Sequence, residues 1–90
     1  MSFKIERFVG EENAIVFRVC GRMNMECVNT IKELSEKESI RIILDLSEVT
    51  IASRDAAIFL AVSEFNGIDL RNFPPFLREW VSKEKLRISR

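Results

Sequence analysis

Ser53, Arg54 and Asp55 set a hydroxyl, a guanidinium and a carboxylate in succession at the head of an apolar stretch, Ala56-Ala57-Ile58-Phe59-Leu60-Ala61-Val62. A serine at that place can cap a helix, because its hydroxyl accepts a bond from an orphan backbone N–H one turn in. Asp55 suits the positive end of the same helix. Arg54 is either a solvated first-turn arginine or a fixed positive charge offered to an acidic group on a partner. Asp45 and Asp55 flank the turn. They read as a strand-end and a helix-start carboxylate rather than as a catalytic pair.

The missing residue types exclude more. With no His and no Tyr, a histidine triad or histidine general base is ruled out. The three glycines are isolated at turns, so there is no phosphate-cradling loop. No acidic residues fall at metal-ligand spacing, and neither a metal nor a cofactor is expected. Cys20 and Cys27 are not in a CxxC arrangement and have no histidine to complete a zinc site. They are expected to be small buried thiols, one on a strand and one on a helix. Fourteen basic and fourteen acidic residues cancel, which argues against a general nucleic-acid or anionic-membrane binder. No apolar run reaches the roughly 18 residues of a membrane span, and the stretch Met1–Phe8 lacks a signal-peptide core. The expectation is a cytoplasmic protein that is not an enzyme.

The elements that position the turn follow from periodicity. Phe3–Phe8 and Ala14–Cys20 alternate as strands around a hairpin turn at Gly10–Asn13. Gly21-Arg22-Met23 ends the second strand. Asn24 caps a helix whose apolar stripe is Cys27, Val28, Ile31 and Leu34. Ile42 to Leu46 is the next strand, broken at Ser47-Glu48, with Val49-Thr50-Ile51 as a short extended return. Ser53 opens the central helix, and Asn66-Gly67 stops it. Ile68–Arg71 is a fourth strand. A third helix starts near Pro75, where proline is tolerated in the first turn. Residues 84–90 read as a frayed or disordered tail of a single domain spanning 1–90. The order ββαβαβα predicts an α/β fold: a four-stranded, mixed but mainly parallel sheet with strands in consecutive order and only the first antiparallel to its neighbour. Charges at alternate strand positions (Lys4, Glu6, Arg18, Asp45, Asp69, Arg71) predict helices mainly on one face.

The stretch LDLSEVTIASRDAAIFL, Leu44–Leu60, resembles the signature of STAS domains, the family of bacterial anti-sigma-factor antagonists and of the cytoplasmic tails of sulfate transporters. That signature is a strand ending Leu-Asp-Leu-Ser, then Val-Thr, a hydrophobic pair and Asp-Ser-Ser-Gly at a helix start. Gly21-Arg22-Met23-Asn24 sits where the family has Gly-x-Leu-Asp, and Leu70-Arg71-Asn72-Phe73-Pro74-Pro75 resembles its entry into the next helix. The resemblance implies a small β–α superhelix that docks to other proteins: an anti-sigma factor or a kinase-like regulator. In many members such a kinase phosphorylates the first serine of Asp-Ser-Ser-Gly. Aligned without gaps, Ser53 replaces the Asp, Arg54 the acceptor serine, Asp55 the second serine and Ala56 the glycine. Arginine cannot carry the phosphate. A one-residue gap instead makes Ser53 the acceptor, with Ala52 in place of the Asp.

On a helical wheel Ala56, Phe59, Leu60 and Ser63 share one side of the central helix. Ile58, Ala61, Val62 and Phe65 share the other. A helix packed on one side should not be apolar on two. Either it is sandwiched between sheet and helices, or one stripe docks to a partner. In the resembling family, the small residue in place of Ala56 and the leucine in place of Leu60 help seat this helix on its sheet. The expected docking surface is Ser53, Arg54, Asp55, Ile58 and Val62. Its occupant is a protein partner or a second copy of the chain, and Phe65 is expected in the core. The alternative function is a carrier of a small anionic ligand or lipid, with an anion at the helix start beside Arg54 and Phe59, Phe65 and Trp80 lining an apolar slot.

Overall fold

The computed structural model describes residues 3–89. It contains β1 (Phe3–Val9), β2 (Ala14–Met23), α1 (Met25–Glu36), β3 (Arg41–Ala52), α2 (Arg54–Phe65), β4 (Asp69–Arg71) and α3 (Pro75–Ile88). The four strands form one sheet in the order β1-β2-β3-β4. β1 and β2 are antiparallel; β2–β3 and β3–β4 are parallel. This is the topology predicted from the sequence. Each helical crossover steps to the next strand in the same direction, so right-handed crossovers put α1 and α2 on the same face. Under them lie Ile15, Phe17, Val19, Leu44 and Leu46, all essentially buried, with Phe3 and Ile5 at the margin.

The opposite face carries charge in register. Glu6 pairs with Arg18, Arg18 with Asp45, and Asp45 with Arg71 across the four strands. Arg18 lies 3.8 Å from Glu6 and 3.4 Å from Asp45, with its guanidinium 4.9 Å from the centre of the Phe8 ring. Alternation of apolar and charged residues thus produces one dry and one wet face.

Two boundaries differ from expectation. β3 is not broken at Ser47-Glu48: it is one strand from Arg41 to Ala52. Between Arg18↔Asp45 and Cys20↔Glu48, β3 takes one more residue than β2, and it does so again between Gly21↔Val49 and Arg22↔Ile51. These are bulges, and the first absorbs the polar pair. β2 correspondingly runs on through Gly21, whose φ of +90° is open to glycine but costly for other residues, to Met23. Asp45 stabilises the first bulge. Its carboxylate accepts the Ser47 backbone N–H at 3.0 Å and the Asn72 side-chain amide at 3.2 Å.

The tail is the second correction. Residues 84–88 continue α3, while Arg90 lies outside the described residues. Glu84 is buried, and its carboxylate lies 3.7 Å from Arg54 Nε. Lys85 lies 2.9 Å from Glu64. Opposite charges on α2 therefore hold the segment in place.

Burial pushes the Asp45 carboxyl up, but bonds from Ser47, Asn72 and Arg18 outweigh it and leave it below its ordinary value of 3.8. A depressed folded-state pKa contributes stability that is complete above the unfolded value and lost as pH falls through the folded one. Asp45→Asn should cost about 1–3 kcal/mol at neutral pH. In urea titrations from pH 7 downward, the gap to wild type should begin to close below about pH 4.

Candidate functional site

β2 and β3 end side by side, with Met23 paired to Ala52. The next residue on each strand is a helix cap. Asn24 Oδ1 accepts the Cys27 N–H at 3.0 Å, and Ser53 Oγ accepts the Ala56 N–H at 3.2 Å. Ser53 N–H also donates to Met23 O at 2.9 Å, so the β2–β3 ladder reaches the cap itself. The starts of α1 and α2 are thereby adjacent. Between them is a shallow depression of about 340 Å³ lined by Arg22, Asn24, Ile51, Ala52 and Ser53. The Ser53 hydroxyl is engaged there as the cap of α2.

Arg54 is exposed, but its guanidinium leans back toward α3 and the buried carboxylate of Glu84. Asp55 is exposed at the rim of a groove of about 440 Å³ between α1 and α2. Its apolar wall is Met25, Val28, Ile58, Phe59 and Val62. Val62 and Met25 are each 41% exposed and Ile58 is half-buried, so this wall is open to a second surface. Lys32 spans the groove with its ammonium 5.8 Å from the Phe59 ring centre. A smaller hollow of about 200 Å³ continues past Lys32 and Phe59 toward Ile42 and Leu44.

The structure thus brings Asp55, Ile58 and Val62 together on the groove, leaves Ser53 in the separate depression between the helix starts and turns Arg54 toward the neighbouring flank. Phe65, expected in the core, is 51% exposed, with the Lys85 ammonium 5.6 Å from its ring centre. It sits at the last turn of α2, beyond the sheet's cover. Of the three aromatics expected to line a slot, Phe59 does so; Phe65 and Trp80 are not among the lining residues. Met25, Lys32 and Glu84 belong to this region and were not singled out from the sequence. A signal for Glu84 existed: Leu77, Val81, Glu84 and Ile88 recur at helical spacing, which makes Glu84 the polar member of an apolar stripe.

The cysteines are placed one on a strand and one on a helix, as expected. Cys27 is buried, and burial pushes its thiol up to about 11. Cys20, half-buried on the wet face, is raised by burial and then by Glu6, to which its S–H donates at 3.8 Å. Both are therefore held as thiols, away from the reactive thiolate form. Among the described residues no group of three or more His, Cys, Asp or Glu could hold a metal ion. No helix there is long and apolar enough to cross a membrane.

A consecutive, mostly parallel sheet with its helices on one face, and a capped turn at the end of its third strand, define an α/β fold of the SpoIIAA-like type. A solved structure supports that fold: an uncharacterized protein from the DUF3478 family with a SpoIIAA-like fold, from Shewanella loihica PV-4, superposes with a TM-score of 0.51. Sequence identity is 18%, and the match covers 77% of this chain and 62% of that protein. At that identity the likeness establishes the fold alone. No protein-family model matches the chain, and no curated protein matches it in sequence.

Ser53→Ala and Asn24→Ala should each lower stability by about 1 kcal/mol, the loss of one cap bond. Ser53→Asp, which retains an acceptor at the helix's positive end, should stay near wild type. Denaturant midpoints of the three variants test the assignment.

Proposed function

We propose that this chain is a non-enzymatic, STAS-type protein-interaction module, a cytoplasmic regulator in bacterial signal transduction. Its docking surface is the turn Ser53–Asp55 together with Ile58 and Val62, and its partner is an anti-sigma factor or a kinase-like regulator. The observation that carries this reading is the open apolar wall of the α1–α2 groove, continuous with the capped turn. Exposed apolar surface rimmed by polar residues marks interfaces. The module is read as fixed in one state. Arg54 occupies the acceptor position in the ungapped alignment and pairs with Glu84, while the Ser53 hydroxyl is engaged as a cap. Mass spectrometry of the native protein should find no phosphate at this turn; phosphate on Ser53 would replace the fixed-state reading with a switch.

A second reading draws on the same groove, whose size fits small ligands and which carries Lys32 across an apolar wall. It is a carrier of a small amphipathic anion such as a fatty acid. A thermal-shift screen with fatty acids and nucleotides separates the two readings.

The docking reading is tested by affinity capture from the native cell with wild type, Val62→Asp and Arg54→Glu as baits. Val62 is 41% exposed, so Val62→Asp should stay folded, within about 1 kcal/mol of wild type, and lose the captured regulator. Ile58→Asp, at a half-buried position, should cost more stability as well as binding. If Val62→Asp unfolds the domain, or if capture is indifferent to both baits, this surface is not the docking site.

A further inference from the structure

β1 is an edge of the sheet, seven residues long where the other edge, β4, has three. Gly10 N–H donates to Ala14 O at 2.7 Å. Counting back by twos, the hydrogen-bonded pairs of the β1–β2 ladder are Phe8↔Val16, Glu6↔Arg18 and Lys4↔Cys20. The N–H and C=O groups of Phe3, Ile5 and Arg7 therefore point outward. They form an open template for another strand.

Charges on an edge usually blunt it. Here they select a register. Let a second β1 pair antiparallel about a two-fold axis through Ile5. Ile5 then meets its own copy, Phe3 lies opposite Arg7 of the second copy, and Lys4 lies opposite Glu6 of the second copy. The Lys4–Glu6 pairs, two by symmetry, fall at the non-hydrogen-bonded positions, where side chains approach most closely. Arg7 is held at 2.9 Å on Glu38, on the helix-covered face where Phe3 also lies. Shifting the axis by one residue sets Glu6 against Glu6 or Lys4 against Lys4, and shifting it by two toward the turn sets Arg7 against Arg7; these registers bring like charges together, while a shift by two the other way, onto Phe3, gives up both Lys4–Glu6 pairs.

We propose that the chain forms a two-fold symmetric homodimer through β1 in this one register, joining two four-stranded sheets into a continuous one. None of the residues lining the α1–α2 groove belongs to β1, so the groove lies off the dimer seam on each subunit. The assembly presents two docking surfaces, which raises avidity for a multivalent partner. The inference is independent of what binds the groove.

Sedimentation equilibrium on the full chain tests it with wild type, Lys4→Glu, Glu6→Lys and the double swap Lys4→Glu/Glu6→Lys. Wild type should dimerise. Each single change turns two attractive pairs into two repulsive ones and should weaken the dimer roughly tenfold or more. The double swap restores complementarity and should recover the wild-type constant. Lys4 has a side chain 68% exposed, so Lys4→Glu stays folded and decides alone if Glu6→Lys does not fold. The proposal is overturned if wild type remains monomeric to about 1 mM. It is equally overturned by a dimer that ignores Lys4→Glu, or by a folded double swap that stays as weak as the single variants.

Discussion

The parallel pairing of β2 with β3 is the constraint on which the rest depends. The two strands must end level, because each hands directly to a helix cap and the caps share the same end of the sheet. Met23↔Ala52 and the Ser53 N–H to Met23 O bond fix that level. Were β3 a residue out of step, its buried set would turn to the wet face, and Ser53 would no longer sit beside Asn24. The bulges in β3 reconcile this with length. β3 is twelve residues against ten in β2, and the surplus is taken up where Ser47 and Thr50 are exposed. Asp45 makes the first bulge tolerable by accepting the amide it frees, and through Asn72 it also ties down the loop that leads to α3.

Much of this was legible because strands and caps leave local signals. Alternation in β1, β2 and β4 and the hairpin at Gly10–Asn13 gave the strand order and directions. Asn24 and Ser53 gave the helix starts, since a cap is a bond between residues close in sequence. The LDLSEVT run gave the fold type but not its own geometry. Ser47-Glu48 looks like a break because polar residues usually end strands, whereas a bulge lets the strand pass through them. Whether a pair is a bulge or a turn depends on the neighbouring strand, which is not a local property. The tail failed for the same reason. Glu84 and Lys85 look like solvated residues at a chain end until Arg54 and Glu64 are seen across from them.

The site was partly legible. Ile58 and Val62 were assigned to one stripe with Ala61 and Phe65, and the fold divides that stripe. A helix with 3.6 residues per turn has roughly three flanks. The sheet takes Ala56 and Leu60, both fully buried in the core. The flank bounded by Arg54 and Glu64 faces α3, since both pair with it, and Ala57 and Ala61 between them are buried. Their small side chains let Leu77 and Val81 of α3 come close. A two-sided wheel cannot separate three flanks.

What remains is the third flank. Packing already secures α2 on two sides, with buried alanines and a buried leucine. At Val62 the fold itself imposes no apolar requirement: a polar residue 41% exposed would cost the helix little. Yet Val62 and Ile58 stand there beside Met25 of α1, and Asp55 and Lys32 mark the rim. Burial along α2 therefore leaves two dry flanks and one open apolar one. The cap at Ser53 fixes where the helix begins relative to the sheet and so where the open flank points.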